Sequence, residues 1–410
     1  MNYTKTLHNH NRKLLFLSRW FPFPPDNGSR VRIYNLLKQL SCEFEITLVT
    51  FCDPDQGNEE TIRELRSICS EVYPVPTPSE SLSGIKPTLA FFSPLPRWIV
   101  ASDSPEIRNL LKKLAGQKYD LCLASQIDMA RYALEISNCP RVLEELEISV
   151  ITERPGRETH LIRKIRSGLT AQKYRRYLAR IVRQFEGVTT VSTVERAAIL
   201  RAIPGVKHPT VIPNGVDLAH YKGVKQKPEA NTLVFTGALS YHANLDAIDY
   251  FLGEIFPAIL REAPGTRLKV TGKTNPDQME KLSLAGYSAG EITFTGYLAD
   301  IRPAIAQSWA SIVPLRVGGG TRLKILESLA AGTPVVTTAK GMQGLDLMPE
   351  KHILVGDSPA EFSAAVIRLL RDADLRDELS ERGKEIVAQR YGWEKIGNEL
   401  RDYLNSFLVD

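Results

Sequence analysis

The sequence is that of an α/β protein with two Rossmann-like, doubly wound domains, and three observations predict this. Short apolar runs alternate with helical stretches from Lys13 to Arg390, a rhythm that argues for mostly parallel sheets. The 410 residues are too many for one ordinary core, and two domains of about 200 residues each are the prior. The run Val317-Gly318-Gly319-Gly320-Thr321-Arg322-Leu323-Lys324-Ile325-Leu326-Glu327, continuing to Val336, reads as glycine loop, short helix, glycine stop and strand. A helix that starts bare after three glycines presents unpaired N–H groups and the positive end of its dipole, which suits a phosphate.

Taken in order, Lys13–Ser18 is a buried first strand, residues 20–28 a proline-rich loop, and Ser29–Leu40 a helix capped by Ser29. Strands follow at Phe44–Phe51, Glu71–Pro74, Leu121–Ala124, Arg141–Leu143 and Gly187–Ser192. Helices lie between them at Thr61–Cys69, Pro105–Leu114, Met129–Ile136 and, as a long basic stretch, Glu158–Phe185, with Thr193–Ala202 after the last strand. A second series starts with the strand Thr210–Ile212, the turn Pro213-Asn214-Gly215 and a lysine-rich linker, Lys222–Asn231. Its strands are Thr232–Thr236, Arg267–Thr271, Ile292–Thr295, Ser311–Pro314, Pro334–Thr338 and Ile353–Val355. Its helices are Asn244–Leu260, Gln278–Ser283, Ile301–Trp309, Pro359–Arg371 and Ala373–Arg390. The domains expected are 1–204, 205–385 and a C-terminal helical segment, 386–410. Two such domains facing one another make a cleft, with ligands outside the carboxyl ends of the strands.

On the glycine-loop helix, Leu323, Leu326 and Ala330 are expected to form the apolar stripe, with Glu327 about 40° from Leu323 on its edge. The Glu327 carboxylate leans back toward the helix start, roughly 9 Å away along the axis. A phosphate at the N-terminus and a ribose hydroxyl at the glutamate fit that span, and so does a solvated glutamate on a surface helix. Bulk composition is that of a soluble globular chain, 43% hydrophobic and 24% charged. A net charge of +5 does not call for nucleic acid. Five cysteines without CxxC spacing fit a reduced thiol pool. No secretion signal and no run of 18 apolar residues is found, so the expected location is cytoplasmic, with peripheral contact at the inner membrane face.

Five pieces of the second half occur together in one order: Val211–Asp217, Leu233–Gly237, Phe294–Tyr297, Val313–Leu315 and Gly318–Val336. This pattern resembles the retaining GT-B glycosyltransferases of family 4, and GGGTRLK before the glutamate is similar to their bacterial exopolysaccharide branch. Tyr391-Gly392-Trp393 looks like the start of the family's last helix, which crosses back onto the first domain. The stretch Pro22–Arg30 resembles the family's N-terminal glycine loop, which brings in Gly28 and Arg30. The resemblance implies a GT-B fold and a nucleoside-diphosphate sugar donor, UDP or GDP type, with no metal. The implied acceptor is a hydroxyl of a glycan or lipid-linked glycan.

By the same resemblance Glu327 matches the second glutamate of the E-x7-E motif, which binds the nucleotide ribose. The first glutamate falls at Gly319 and is absent, and the amides of Gly319, Gly320 and Thr321 are expected in its place. The family's arginine and lysine after the Gly237 strand are missing from Ser240-Tyr241-His242-Ala243-Asn244. Arg322 and Lys324 are the substitutes expected, with Arg316 and Arg30 as further candidates. The first-domain histidine is replaced by Ser125-Gln126. His242, Gly296, Tyr297 and Leu323 complete the expected donor site. Two other readings stay open: a non-catalytic nucleotide-sugar-binding partner of another transferase, which the missing groups favour, and a GT-B epimerase, which Gly319 and Gln126 disfavour.

Other signals have two readings each. Glu144, Glu145 and Glu147 follow a strand end, where a carboxylate could orient an acceptor hydroxyl, with Glu145 as the catalytic candidate, or form a solvated acidic loop. The triplets Asp53-Pro54-Asp55 and Asp372-Ala373-Asp374 are read as acidic turns rather than metal sites. Residues 154–183 hold ten lysines and arginines and one acid. Leu161, Ile165, Leu169, Tyr174, Leu178 and Val182 mark an apolar stripe there. Such a helix suits an anionic membrane or a lipid-diphosphate acceptor, and equally a solvated face.

Overall fold

The computed structural model describes residues 12–78, 93–148, 161–224, 226–318, 320 and 322–408. The chain forms two compact units, Met1–Pro213 with Glu394–Asp410, and Asn214–Trp393. The first holds a seven-stranded parallel sheet in the order β3-β2-β1-β4-β5-β6-β7. Its strands are β1 (Arg12–Ser18), β2 (Phe44–Cys52), β3 (Glu71–Pro76), β4 (Leu121–Ser125), β5 (Arg141–Glu144), β6 (Gly187–Thr190) and β7 (Pro209–Val211). The second holds six parallel strands in the order β10-β9-β8-β11-β12-β13. They are β8 (Thr232–Thr236), β9 (Arg267–Thr271), β10 (Ile292–Gly296), β11 (Ala310–Val313), β12 (Val335–Thr337) and β13 (Leu354–Val355). Both orders wind outward in two directions from the first strand of the unit, the doubly wound scheme. Leu14–Leu17, Leu121–Ala124 and Leu233–Phe235 are fully buried, because helices cover both faces of a parallel sheet and leave no residue facing water.

The division between units falls at Pro213 rather than 204. The short strand β7 pairs in register with β6, Val188 beside Pro209 through Thr190 beside Val211, and so belongs to the first sheet. The C-terminal segment also starts later than 386. The helix Ala373–Arg390 ends within the second unit, and Gly392 precedes a separate helix, Trp393–Asn405. That last helix is built into the first unit. Arg401 donates to the Gln39 carbonyl at 2.6 Å, Asn405 donates to Glu43 at 2.8 Å, and the Tyr403 hydroxyl accepts from the Val188 amide at 2.8 Å. Gly187 and Gly397 give the close approach: a Cβ would lie 2.4 Å from the Tyr403 oxygen at the first and 2.4 Å from the Gln39 Cβ at the second.

Three local expectations change. The first helix starts one residue before Ser29 and is capped by Asn27, whose side chain accepts from the Arg30 amide. The helix expected over 244–260 is interrupted: α-helix spans His242–Tyr250, a π-turn Phe251–Ile255, and α-helix resumes at Phe256–Glu262 with Pro257 in its first turn. Pro257 has no N–H to offer the preceding turn, and the π-turn absorbs the break. The basic helix, Leu161–Ile181, buries Ala171, Tyr174, Leu178 and Ile181 and leaves Leu169 46% exposed, off the expected stripe. Its Arg175, Arg176 and Arg180 are exposed. Among the described residues no helix is long and apolar enough to cross a membrane.

Candidate functional site

In the second unit, loops from the carboxyl ends of four neighbouring strands meet. Gly237 follows β8 with φ +131°, Gly272 follows β9 with φ +121°, and Gly296 ends β10 with φ +69°. They are stitched together: the Gly237 amide donates to the Thr271 carbonyl at 3.0 Å, and the Gly272 amide to the Gly296 carbonyl at 2.8 Å. A Cβ at Gly272 would sit 2.5 Å from the Gly237 carbonyl carbon, so only glycine lets these loops touch. The glycine loop after β11 comes down on the same place. A Cβ at Gly318 would lie 3.1 Å from both the Ala243 Cβ and the Tyr241 hydroxyl.

The helix Leu323–Ala330 starts at this junction with no side-chain cap, which leaves its first amides for a ligand or water. Its buried face is Ile325, Leu326 and Leu329. Leu323 and Ala330 are only half-buried, so the stripe is rotated from the expected one, because Ile325 and Leu329, a turn apart, fill the core. Lys324 and Glu327, three residues apart, share one side of that helix. The Lys324 ammonium donates to Asn244 Oδ1 at 2.8 Å and sits 4.0 Å from the centre of the Phe235 ring. Asn244, itself buried, donates through Nδ2 to the Ala238 carbonyl at 2.8 Å. Arg322 donates to the Gly318 carbonyl at 2.8 Å and is 7% exposed.

Burial sets the titration here. It pushes the Glu327 carboxyl up to about 7, partly opposed by the Lys324 charge. It pulls the Lys324 ammonium down to about 7, helped by Arg322 and opposed by Glu327. The buried Tyr221 phenol is raised as well, first by desolvation and then by the Glu327 carboxylate beside it. A carboxyl shifted up and an amine shifted down beside the open start of a helix respond strongly to an incoming anion. Among the described residues the Thr236 hydroxyl, where β8 ends, is buried without a hydrogen-bond partner.

The first unit has a second cluster. Gln126, after β4, and Glu145, after β5, both adopt left-handed backbone, φ +71° and +58°. Neither is a glycine, so both positions hold strain that the surroundings must compensate. Gln126 Nε2 donates to Glu145 Oε2 at 2.9 Å and reaches Ser29 Oγ at 3.4 Å. The Glu145 carboxyl is raised to about 8 by burial first and by Glu144 next, against the pull of Arg32. The acidic loop is therefore not uniformly solvated. Glu144 is fully buried: its Oε1 accepts from Arg32 Nε at 2.7 Å and its Oε2 from the Ser125 hydroxyl at 2.9 Å. Arg32 also donates to the carbonyls of Ile212 and Pro213, each at 2.9 Å.

Of the residues expected from sequence, Gly237, Gly296, Gly320, Arg322, Leu323, Lys324 and Glu327 lie at the second unit's strand ends or on the loop and helix after β11. His242 opens the helix there but is exposed, edge-on to Tyr241 at 4.9 Å. Tyr297 is 62% exposed, with the Lys273 ammonium 5.4 Å from its ring centre. Gly319 and Thr321 lie outside the described residues. Gly28, Arg30 and Glu145 belong to the first unit. Arg30 pairs with Asp26 at 2.9 Å and Arg316 with Asp246 at 2.8 Å. Asp372 caps a helix through the Leu375 amide, and Asp53 accepts from Gln56 at 2.9 Å. Asn244 and Tyr221 were not anticipated. The available signal for Asn244 was an amide on the otherwise apolar face that carries Ala247 and Ile248.

Residues 230–372 match the family model described as Glycosyl transferases group 1. The lipopolysaccharide core biosynthesis glycosyltransferase LpsE of Rhizobium meliloti is 33% identical over 151 residues, which are 35% of this chain and 43% of LpsE. An uncharacterized 44.6 kDa protein in the cps region of Klebsiella pneumoniae is 19% identical over 95% of this chain and 98% of its own length. The chain thus spans less than half of the first relative and nearly all of the second. Among solved structures, sucrose-phosphate synthase from Thermosynechococcus elongatus superposes with a TM-score of 0.67 at 16% identity, covering 96% of this chain and 99% of that one. HepE of Anabaena, solved with UDP and glucose, gives 0.68 at 16% identity, covering 96% and 100%. The fold is GT-B. The family match and the named relatives support glycosyltransferase as the enzyme class.

Proposed function

We propose that the chain is a retaining, metal-independent glycosyltransferase of family 4 type, of the bacterial exopolysaccharide branch. It transfers a sugar from a nucleoside-diphosphate sugar, UDP or GDP type, to a hydroxyl of a glycan or lipid-linked glycan. The observation that carries this reading is the Lys324–Asn244 pair, with Glu327 one turn on, at the carboxyl ends of the second unit's strands. Ligands of doubly wound sheets bind at that edge. Glu327 takes the ribose hydroxyls. Lys324, Arg322 and the open amides of the 323–330 helix take the diphosphate, in place of cations absent after Gly237. Gly319, Gly320 and Thr321 line the sugar with backbone amides.

In the reaction the acceptor oxygen bonds to the anomeric carbon while the bond from that carbon to the diphosphate oxygen breaks. The nucleoside diphosphate leaves, and the hydroxyl proton passes to a base. Charge builds on the leaving diphosphate, where fixed N–H groups and an ammonium stabilise it most. The first unit is the acceptor side in this reading, with Gly28 and Arg30 on its glycine loop and Glu145 as the carboxylate that draws on the acceptor hydroxyl. The exposed arginines of the 161–181 helix support peripheral contact with an anionic inner membrane face. Calorimetry with UDP- and GDP-sugars, followed by a donor-hydrolysis assay, tests the reading. Binding with turnover supports it, and binding without turnover supports the non-catalytic partner instead. Glu327→Ala is expected to weaken nucleotide binding by about 10- to 100-fold, and unchanged binding in that variant would sink the site.

A further inference from the structure

We infer that a hollow at the carboxyl ends of β1, β2 and β3, lined by Trp20, Asp53, Gln56 and Thr77, binds one pyranose ring of the acceptor glycan. The inference rests on the glycosyltransferase reading above, which supplies an acceptor. The hollow has a volume of about 350 Å³, at the small end of ligand sites and suited to one ring rather than a chain.

Its lining has the two halves that a sugar needs. The apolar half is Trp20, 37% exposed beside the buried Phe51. Trp20 is braced. Its carbonyl accepts from Ser18 Oγ at 2.7 Å and from Thr50 Oγ1 at 3.1 Å. The Arg19 guanidinium carbon lies 4.9 Å from the Trp20 ring centre and 5.4 Å from that of Phe51. Cation–π contact with a mostly buried arginine keeps an indole from folding onto the core. The partly exposed indole gives the hollow an apolar ring face.

The polar half is Asp53 and Gln56. Gln56 Nε2 donates to Asp53 Oδ2 at 2.9 Å, which orients the amide and leaves the carboxylate with acceptor capacity for hydroxyl donors. The Thr77 hydroxyl adds a group that both donates and accepts. A pyranose presents an apolar C–H face to the indole and a rim of hydroxyls to the carboxylate and amide. An acyl chain would leave Asp53 and Gln56 desolvated without partners.

Saturation-transfer NMR on the full chain, with methyl glycosides of glucose, galactose and mannose, tests this. Transfer to the C–H face of at least one glycoside is expected. Trp20→Ala should reduce it about tenfold or more in affinity, and Trp20→Phe should keep part of it. Gln56→Ala, which leaves the indole in place, should weaken it as well. The first-unit thermal transition, followed by differential scanning calorimetry on the same samples, checks that the variants are folded. The inference is overturned if no glycoside receives saturation from the wild type, or if Trp20→Ala and Gln56→Ala leave transfer unchanged. It is equally overturned if UDP-glucose displaces the glycoside, because the donor sugar would then be the occupant. Failure of the wild type to bind any nucleotide or nucleotide sugar counts against the glycosyltransferase reading and leaves the glycoside result standing.

Discussion

Lys324 is the side chain on which donor chemistry is most exposed to pH. Burial and Arg322 hold its ammonium near 7, so the free protein loses that charge as pH rises above about 7. A bound diphosphate would favour the charged form. Donor binding at pH 8 is therefore expected to take up a proton, seen as a calorimetric enthalpy that depends on the buffer's ionisation heat, and Lys324→Met should remove that dependence. The same variant should lower kcat/KM by about 10²–10³, the usual cost of one electrostatic stabiliser. Glu145 behaves oppositely. Its carboxyl titrates near 8 in the fold against an ordinary value of 4.5, so the folded state holds more protons than the unfolded one between those values. Stability contributed by the protonated form is present below about 4.5 and is lost as pH rises toward 8. Glu145→Gln should flatten that decline in a series of thermal melts from pH 5 to 8. If Glu145 is the acceptor-side base, kcat rises through about pH 8, and the variant loses that limb.

At the scale of elements, glycine geometry and buried polar pairs decide what can change. Gly237→Ala would put a methyl 2.7 Å from Asn244 Nδ2 and 3.0 Å from the Lys324 ammonium, at a φ of +131°. It is expected to weaken UDP binding by at least about tenfold, and a crystal structure of the variant should show Asn244 or Lys324 displaced. The Arg32–Glu144 pair joins the 28–40 helix to β5 and the end of β7. Removing one partner alone, as in Arg32→Met, leaves a buried charge and costs about 3–5 kcal/mol. For a unit of this size the melting temperature should fall by roughly 10 °C. The strands were legible in the sequence because a parallel sheet buried on both faces leaves nearly continuous apolar runs, such as Leu14–Leu17. The glycine loop and Glu327 were legible because a local pattern carries them. Asn244 and the Glu144–Arg32 pair were not, since their partners lie 80 and 112 residues away. The rotated stripe on the 323–330 helix was missed because Leu323 and Ile325 are equally apolar, and only packing chooses between them.

At the scale of the whole molecule, each unit has its own sheet and its own core, and the chain leaves the first at Pro213 and re-enters it at Glu394. Truncation after Trp393 is expected to remove the Arg401, Tyr403 and Asn405 contacts and to expose the surface around Gly187 and Gln39. Differential scanning calorimetry should then show a lower first-unit transition, while nucleotide binding by the second unit persists. That threading also sets an order of manufacture. A ribosome finishes residues 214–393 before it makes the helix that closes the first unit, so the later-made unit is the first whose sequence is complete. Domains are generally released to fold from the N-terminus onward; here the first unit gains its Arg401, Tyr403 and Asn405 contacts only after the whole second unit has been made.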